Sequence, residues 1–156
     1  PRAASRAGAT DPGPRRMLAP EVGAMTTYPT LRSVVLDCED ARALAEFYRE
    51  LLGLTYRPGD EDATDADWLV LRGAGVALAF QQVDRLPAST WPDPAVPQQL
   101  HLDTTVSSLA ELAEVHDRAL ALGARVLYDR TDDPDEPLWV FADPAGHPFC
   151  VFVVEP

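Results

Sequence analysis

The sequence has few cysteines and few basic residues. Only 2 of its 156 residues are cysteines, and 13 lysine and arginine residues stand against 25 acidic ones, so the formal net charge is −12. The two thiols, Cys38 and Cys150, are too few for the disulfide framework of a secreted domain. We therefore expect a cytoplasmic location.

The charge balance and the missing motifs argue against several classes of partner and site. Without a basic stripe nothing would replace phosphate counterions, so no nucleic-acid partner is expected. No apolar run reaches the ~20 residues of a membrane helix, so no membrane partner is expected either. The sequence also shows no secretory signal, no glycine-rich phosphate loop, no G-x-S-x-G elbow and no C-x-x-C pair.

The beginning of the chain differs in composition from the rest. Residues 1–28 are rich in alanine, glycine, proline and arginine, without periodicity, and carry too little apolar surface to offset chain entropy. We predict a disordered N-terminal tail, followed by one domain over residues 29–156. Met25 is an alternative start of the protein, and the predicted domain is the same in both cases.

The predicted domain consists of the same unit twice. Each copy opens with a short apolar strand, continues with an amphipathic helix that ends at Leu-Gly, and closes with three more strands. We assign the first unit to residues 31–84, a proline-rich link to residues 85–98 and the second unit to residues 99–155. Units with open apolar faces bury them against each other. The predicted class is α+β, with two βαβββ units paired into a curved mixed sheet that encloses a cleft or half-barrels.

The helix ends carry specific signals. Asp40 predicts the N-cap of a first helix over Ala41–Leu52, and Gly53 predicts its end. In the second copy Ser108 and Glu111 form a capping-box pattern, and Gly123 predicts the helix end.

Four segments of the sequence carry a resemblance to a known family. They are FYRELLGL at the first helix end, WPDP and PQQLHLD at the junction, LGARVLYD after the second helix, and VFADPAGHPFCVF near the end. In this order and spacing, the stretch from Leu31 to Glu155 resembles the vicinal oxygen chelate superfamily, in its glyoxalase-like, bleomycin-resistance-type branch. The resemblance implies a small-molecule cavity. A homodimer is a further expectation.

The resemblance also implies where a metal would be held. In that superfamily the ligands come from the first and last strands of each unit, and the matching positions are Ser33, Ala79, His101 and Cys150. Only His101 is of the usual ligand type, whereas a catalytic metal needs at least three suitable ligands. We therefore expect no cofactor, with a divalent metal on a reduced ligand set as the alternative.

Strand parity extends these four positions to a predicted cavity lining, because residues two apart on a strand share a face. The predicted lining comprises Ser33, Val35, Asp37, Ala77, Ala79, Gln81, His101, Asp103, Thr105, Cys150 and Phe152, with Trp91 of the link as a lid or wall. The residues of the opposite parity are predicted to pack under the helices: Val34, Leu36, Cys38, Leu78, Phe80, Leu102, Phe149, Val151 and Val153. Because Cys150 then faces the cavity and Cys38 the helices, we predict no intramolecular disulfide.

His101 and Asp103 form the sharpest chemical feature of the predicted lining. They allow three interpretations: two metal ligands with Cys150 as a third, a carboxylate-oriented histidine for base or acid chemistry, or a pair with a structural or ligand hydrogen-bonding role. Cys150 is a nucleophile if His101 lowers its pKa, and otherwise a small core residue. His147 follows a turn and has the wrong parity, so it is set aside.

The ligand count at the four family positions favours binding over catalysis. We predict a protein that binds a small organic molecule in the cavity between its units, without the family's full metal site. The alternative is a metal-dependent lyase, isomerase or dioxygenase of the superfamily that uses a reduced ligand set. Fold alone does not decide between them.

Overall fold

A computed structural model describes residues 29–154, so the predictions for residues 1–28, including Met25, lie outside the described residues. The first unit contains β1 (Ser33–Cys38), α1 (Ala41–Leu52), β2 (Thr55–Tyr56), β3 (Trp68–Arg72) and β4 (Ala77–Gln82). The second contains β5 (Leu102–Val106), α2 (Leu109–Ala121), β6 (Arg125–Arg130), β7 (Leu138–Ala142) and β8 (Pro148–Val153). The α+β class and the two βαβββ units are confirmed. In the described part of the chain, neither helix has the length and apolar character that a membrane span requires.

The strands form two four-stranded mixed sheets, one for each unit. Their orders are β1-β4-β3-β2 and β5-β8-β7-β6, so the first and last strands of each unit are neighbours. These neighbours run parallel, while the other pairs are antiparallel. In the second sheet, Asp103 of β5 lies opposite Cys150 of β8.

The helices begin and end where the sequence predicts. The Asp40 side chain accepts a hydrogen bond of 2.8 Å from the Ala43 amide, and Gly53 ends α1 in the left-handed region at φ 64°. The Ser108 hydroxyl accepts from the Glu111 amide at 3.2 Å. The Glu111 carboxylate accepts from the amide and hydroxyl of Ser107, so the capping interaction reaches one residue further upstream than the capping box requires.

The core lies between the helices and the helix-facing sides of both sheets. Every residue of the predicted helix-facing parity is in this core or packs against it. Helix α1 contacts aromatic side chains of both units: the Tyr48 and Phe80 ring centroids are 5.8 Å apart, and those of Phe47 and Phe149 are also 5.8 Å apart. The core is therefore shared by the two units.

A buried carboxylate lies where α1 meets the turn between β7 and β8. Asp143 is only 4% exposed. Its carboxylate accepts hydrogen bonds from the Tyr48 hydroxyl at 2.9 Å and from the Ala145 and His147 amides at 2.9 Å each. The His147 Nδ1 atom lies 3.0 Å from the same carboxylate. Burial, and then the Asp143 charge, raise the pKa of Tyr48 well above its usual value, so this phenol stays a donor.

We predict that Tyr48→Phe lowers the free energy of unfolding by about 2 kcal/mol, because it removes a buried hydrogen bond to a carboxylate. Urea unfolding measures the change. Tyr128→Phe is the matched control, since Tyr128 is 51% exposed and its hydroxyl has no hydrogen bond in the described part of the chain; its cost should be near zero. If both variants lost the same free energy of unfolding, the buried hydrogen bond between Tyr48 and Asp143 would not be the source of the effect.

Candidate functional site

A cavity of about 200 Å³ lies between the two units. It is bounded by β1, by two segments of the link and by the turn that precedes β8; its lining residues are Val35, Leu36, Asp37, Leu86–Ser89, Pro97–Leu100 and Ala145–Pro148. The walls are mainly apolar, and a few polar side chains face inward among them. This composition is typical of a small-molecule site.

His147 is the best-positioned polar side chain of this cavity. Its Nδ1 atom is held by the Asp143 carboxylate, which is an acceptor, so Nδ1 carries a proton and the neutral ring leaves a lone pair on Nε2. Nε2 has no hydrogen-bond partner within residues 29–154. Every buried side-chain nitrogen or oxygen atom in these residues does have such a partner, so Nε2 is not buried and is open to a ligand. His147 can therefore act as an oriented acceptor, or as a charged donor when protonated.

His147 is the cavity-lining residue that strand parity missed. Parity describes side chains within a strand, whereas His147 lies in a turn, where the Asp143 side chain fixes its direction. The signal available in the sequence was the spacing Asp-x-x-x-His across the turn DPAGH.

His101, Asp103 and Cys150 are brought together on the second sheet. One ligand atom of each lies within 4.8 Å of the other two, and His101 Nε2 is 3.4 Å from Asp103 Oδ1. We call these three residues the His-Asp-Cys cluster. The Nδ1 atom of His101 is 3.3 Å from the side-chain nitrogen of Gln98, which also lines the cavity. The cluster thus adjoins the cavity through Gln98.

The thiol of Cys150 is a weak nucleophile in this setting. Burial, and then the nearby Asp103 carboxylate, raise its pKa from 9.0 to about 11. His101 does not lower it, so the Cys-His nucleophile reading finds no support. Cys38, the other free cysteine, is buried on the opposite, helix-facing side of the first sheet, and its pKa is likewise raised to about 11, chiefly by burial.

The predicted lining residues of the first unit do not all line the cavity. Val35 and Asp37 line the cavity, while Ser33 lines a separate surface hollow beside Trp68. Ala79 is fully buried, and its methyl side chain offers no ligand atom. Ala77 lines the hollow with Ser33, and Gln81 is exposed in register with Asp37.

The remaining predicted residues lie around the second sheet. Trp91 is half-buried and its ring meets the Tyr128 ring edge-on, with centroids 6.4 Å apart. Thr105 is exposed and lies opposite the half-buried Phe152 in the parallel pair of β5 and β8. Their part in a ligand site stays a prediction.

Comparison with known proteins gives a family match and a set of structural neighbours. The model of the family described as "Glyoxalase-like domain" matches residues 33–152. No curated protein sequence matches the chain. A glyoxalase/bleomycin resistance protein/dioxygenase family enzyme from Burkholderia phytofirmans PsJN is similar at 15% identity and TM-score 0.64, over 81% of this chain and 99% of that one.

Two further neighbours have more specific descriptions. A mutant of the fosfomycin resistance protein of Listeria monocytogenes, complexed with Mn(II) and 1S,2S-dihydroxypropylphosphonic acid, is similar at 19% identity and TM-score 0.62, over 81% of this chain and 93% of that one. The lactoylglutathione lyase of Agrobacterium tumefaciens is similar at 20% identity and TM-score 0.56, over 82% and 96%. At these identities the likeness shows the fold alone.

We predict that Cys150 reacts slowly with iodoacetamide. At pH 8 a pKa of about 11 leaves roughly a hundredfold less thiolate than a pKa of 9.0, and the greater nucleophilicity of a more basic thiolate recovers about tenfold. In a Cys38→Ser background, alkylation should therefore be at least about tenfold slower than that of a free thiol peptide, as measured by mass spectrometry.

Adding Asp103→Asn to the same background should speed the alkylation, because it removes the charge that helps to raise the pKa. Access to the thiol is nearly unchanged by this substitution. If Cys150 were alkylated as fast as the free peptide, with a rate that is half-maximal near pH 9, its pKa would not be raised and the prediction would be wrong.

Proposed function

Because the chain belongs to the glyoxalase-like domain family of the vicinal oxygen chelate superfamily, we propose that it binds a small organic molecule in the cavity between its two units, without the family's full metal site. The observation that carries the proposal is the cavity itself, in which apolar walls surround Asp37, Gln98 and His147. Apolar walls supply affinity, and a few placed polar groups supply orientation.

The size of the cavity limits the ligand. Its volume of about 200 Å³ is below the ~300–1,000 Å³ of sites for drug-sized molecules. The ligand is therefore a compact molecule, or a larger one that inserts a single end.

The polar groups indicate the chemistry of the ligand. The Asp37 carboxylate is an acceptor, and with the Nδ1 proton directed at Asp143 the Nε2 atom of an uncharged His147 imidazole is one too, so both call for hydroxyl or amino donors on the ligand. A net charge of −12 repels anions from the protein as a whole. We therefore expect neutral or cationic ligands to bind better than phosphonates or carboxylates.

The alternative function is a metal-dependent lyase, isomerase or dioxygenase that uses a reduced ligand set. The description of the Listeria neighbour includes Mn(II), and the His-Asp-Cys cluster is the observation in this chain that bears on the alternative. Ser33 and Ala79 do not supply the remaining ligands of the family pattern, so binding is the better-supported function.

A homodimer belongs to the same proposal. Trp68 and Val76 are 36% and 49% exposed and line the same hollow at the first sheet, and neighbouring exposed apolar side chains favour a covering partner. Sedimentation velocity measures the oligomeric state.

The binding proposal predicts that a compact amine, polyol or hydroxylated aromatic raises the melting temperature. Hundredfold excess over Kd adds about 2.7 kcal/mol of stability. The panel should include 1S,2S-dihydroxypropylphosphonic acid, the ligand of the Listeria neighbour, as the anionic compound that we expect to bind weakly. Asp37→Asn or His147→Gln should weaken the best ligand roughly tenfold or more, since each removes or alters one charged or oriented partner.

Filling the cavity provides the decisive control. Val35→Phe should abolish the ligand-induced rise, because Val35 forms part of the wall. Val126→Phe places the same side chain at a position of matched exposure on β6 and should leave binding intact. A ligand that binds Val35→Phe as tightly as the wild type, or a panel without any binder, would count against the proposal.

A further inference from the structure

We propose that the ligand of the cavity is an elongated amino alcohol, and that its amino end occupies a second hollow that adjoins the cavity at the start of α1. This second hollow has a volume of about 230 Å³. It shares two wall residues with the cavity: Leu86 of the link and Ala145 of the turn before β8. The inference rests on the proposed function, because it assigns the class of molecule that the cavity binds.

The sizes of the two spaces favour a ligand that extends over both. The cavity, at about 200 Å³, and the second hollow, at about 230 Å³, are each smaller than the sites of drug-sized molecules. Together they reach the ~300–1,000 Å³ of such sites. A ligand that crosses the shared wall therefore buries much more apolar surface than a compact one.

The shared wall is held in place from both ends. The Leu86 amide donates a hydrogen bond of 3.0 Å to the Glu39 carboxylate. Two residues further along the link, Ala88 packs so closely on Gly146 that a Cβ at Gly146 would lie 2.5 Å from the Cβ of Ala88. The passage from one space to the other is thus formed before a ligand arrives, which lowers the entropy lost on binding.

The second hollow has an apolar floor and a charged rim. Leu44 and Cys38, which are 2% and 1% exposed, form its floor, while the exposed Glu39 and Asp40 form its rim. A hydrocarbon chain is accommodated by the floor. An ammonium group at the exposed rim keeps part of its hydration, so the large cost of burying a charge does not arise.

The rim carries negative charge that no cation of the described residues neutralises. None of the ion pairs within residues 29–154 involves Glu39 or Asp40. The Leu86 amide uses one oxygen of the Glu39 carboxylate, which leaves the other for a ligand. Burial, and then the charges of Asp143 and Asp40, raise the pKa of Cys38 to about 11, so the negative potential reaches the floor of the second hollow. This potential favours a cationic end.

The opposite end of the ligand follows from the cavity. Asp37 and His147 present acceptors there, and they call for a donor such as a hydroxyl group. Between the two polar ends the ligand passes Leu86 and Ala145, which are apolar. The class that satisfies all three regions is an amino alcohol with an unbranched hydrocarbon chain.

A series of straight-chain amino alcohols, from ethanolamine to aminooctanol, tests the inference by isothermal titration calorimetry on the full chain. Each methylene group that becomes buried should tighten binding about fourfold, until both ends are seated. Diols of the same lengths are the uncharged comparison. They should bind more weakly than the amino alcohols, because they lack the ammonium group.

Two variants locate the amino end. Ala43→Phe fills the second hollow from an exposed position on α1, and it should remove the gain from chain length while compact ligands still bind. Ala113→Phe, at an exposed position on α2, is the matched control and should leave the gain intact. Glu39→Gln should weaken the long amino alcohols about three- to tenfold and leave the diols unchanged, since the glutamine oxygen still accepts from the Leu86 amide.

The inference is overturned if longer chains bind no better than short ones, if folded Ala43→Phe keeps the gain or Ala113→Phe loses it, or if the diols match the amino alcohols. Circular dichroism verifies folding. In each of these cases a compact ligand that binds the wild type but not Val35→Phe still supports the proposed function. If neither compact nor elongated molecules bind, the proposed function and this inference are both wrong.

Discussion

The hydrogen bond between Tyr48 and Asp143 joins the two βαβββ units in the buried interior that they share. Tyr48 belongs to α1 of the first unit and Asp143 to the turn before β8 of the second, and both are buried. A buried carboxylate is costly unless its oxygens are satisfied. Here the Tyr48 hydroxyl of the first unit donates one hydrogen bond to the Asp143 carboxylate, and amides of the turn itself donate the others. The Asp143 carboxylate is therefore satisfied only when the turn has this conformation and α1 packs against it. The direction of His147 depends on that group as well.

The link closes the cavity by a close approach that only glycine permits. Gly146 has φ 97°, and a Cβ there would lie 2.5 Å from the Cβ of Ala88. A side chain at this position would push the link away from the turn. The link is further held by the Leu86 amide, which donates to the Glu39 carboxylate at 3.0 Å. The cavity wall is thus built from contacts between segments far apart in sequence.

Local signals were sufficient to predict the elements of the fold. Asp40 and Ser108 are caps because their side chains reach the amide three residues on, and this geometry depends on neighbours in sequence alone. Period two, which belongs to the strand itself, separates Leu36 and Cys38 from Val35 and Asp37, and the resemblance then indicated which of the two faces the helices cover. The division of the strands into two sheets was less accessible, because strand order depends on which edges meet.

Strand geometry could bring together only those candidate residues that lie on or beside paired strands. His101, Asp103 and Cys150 share a face of paired strands, so parity and register are enough to bring them together. His147 and Gln98 lie in a turn and in the link, where the direction of a side chain depends on its tertiary partners.

Gln98 connects the cavity and the His-Asp-Cys cluster. Its side chain lines the cavity and also contacts His101 Nδ1, so the two groups of residues share one amide. Because Gln98 lies in the link and His101 directly before β5, this contact depends on how the link packs against the second sheet and not on the periodicity of either segment.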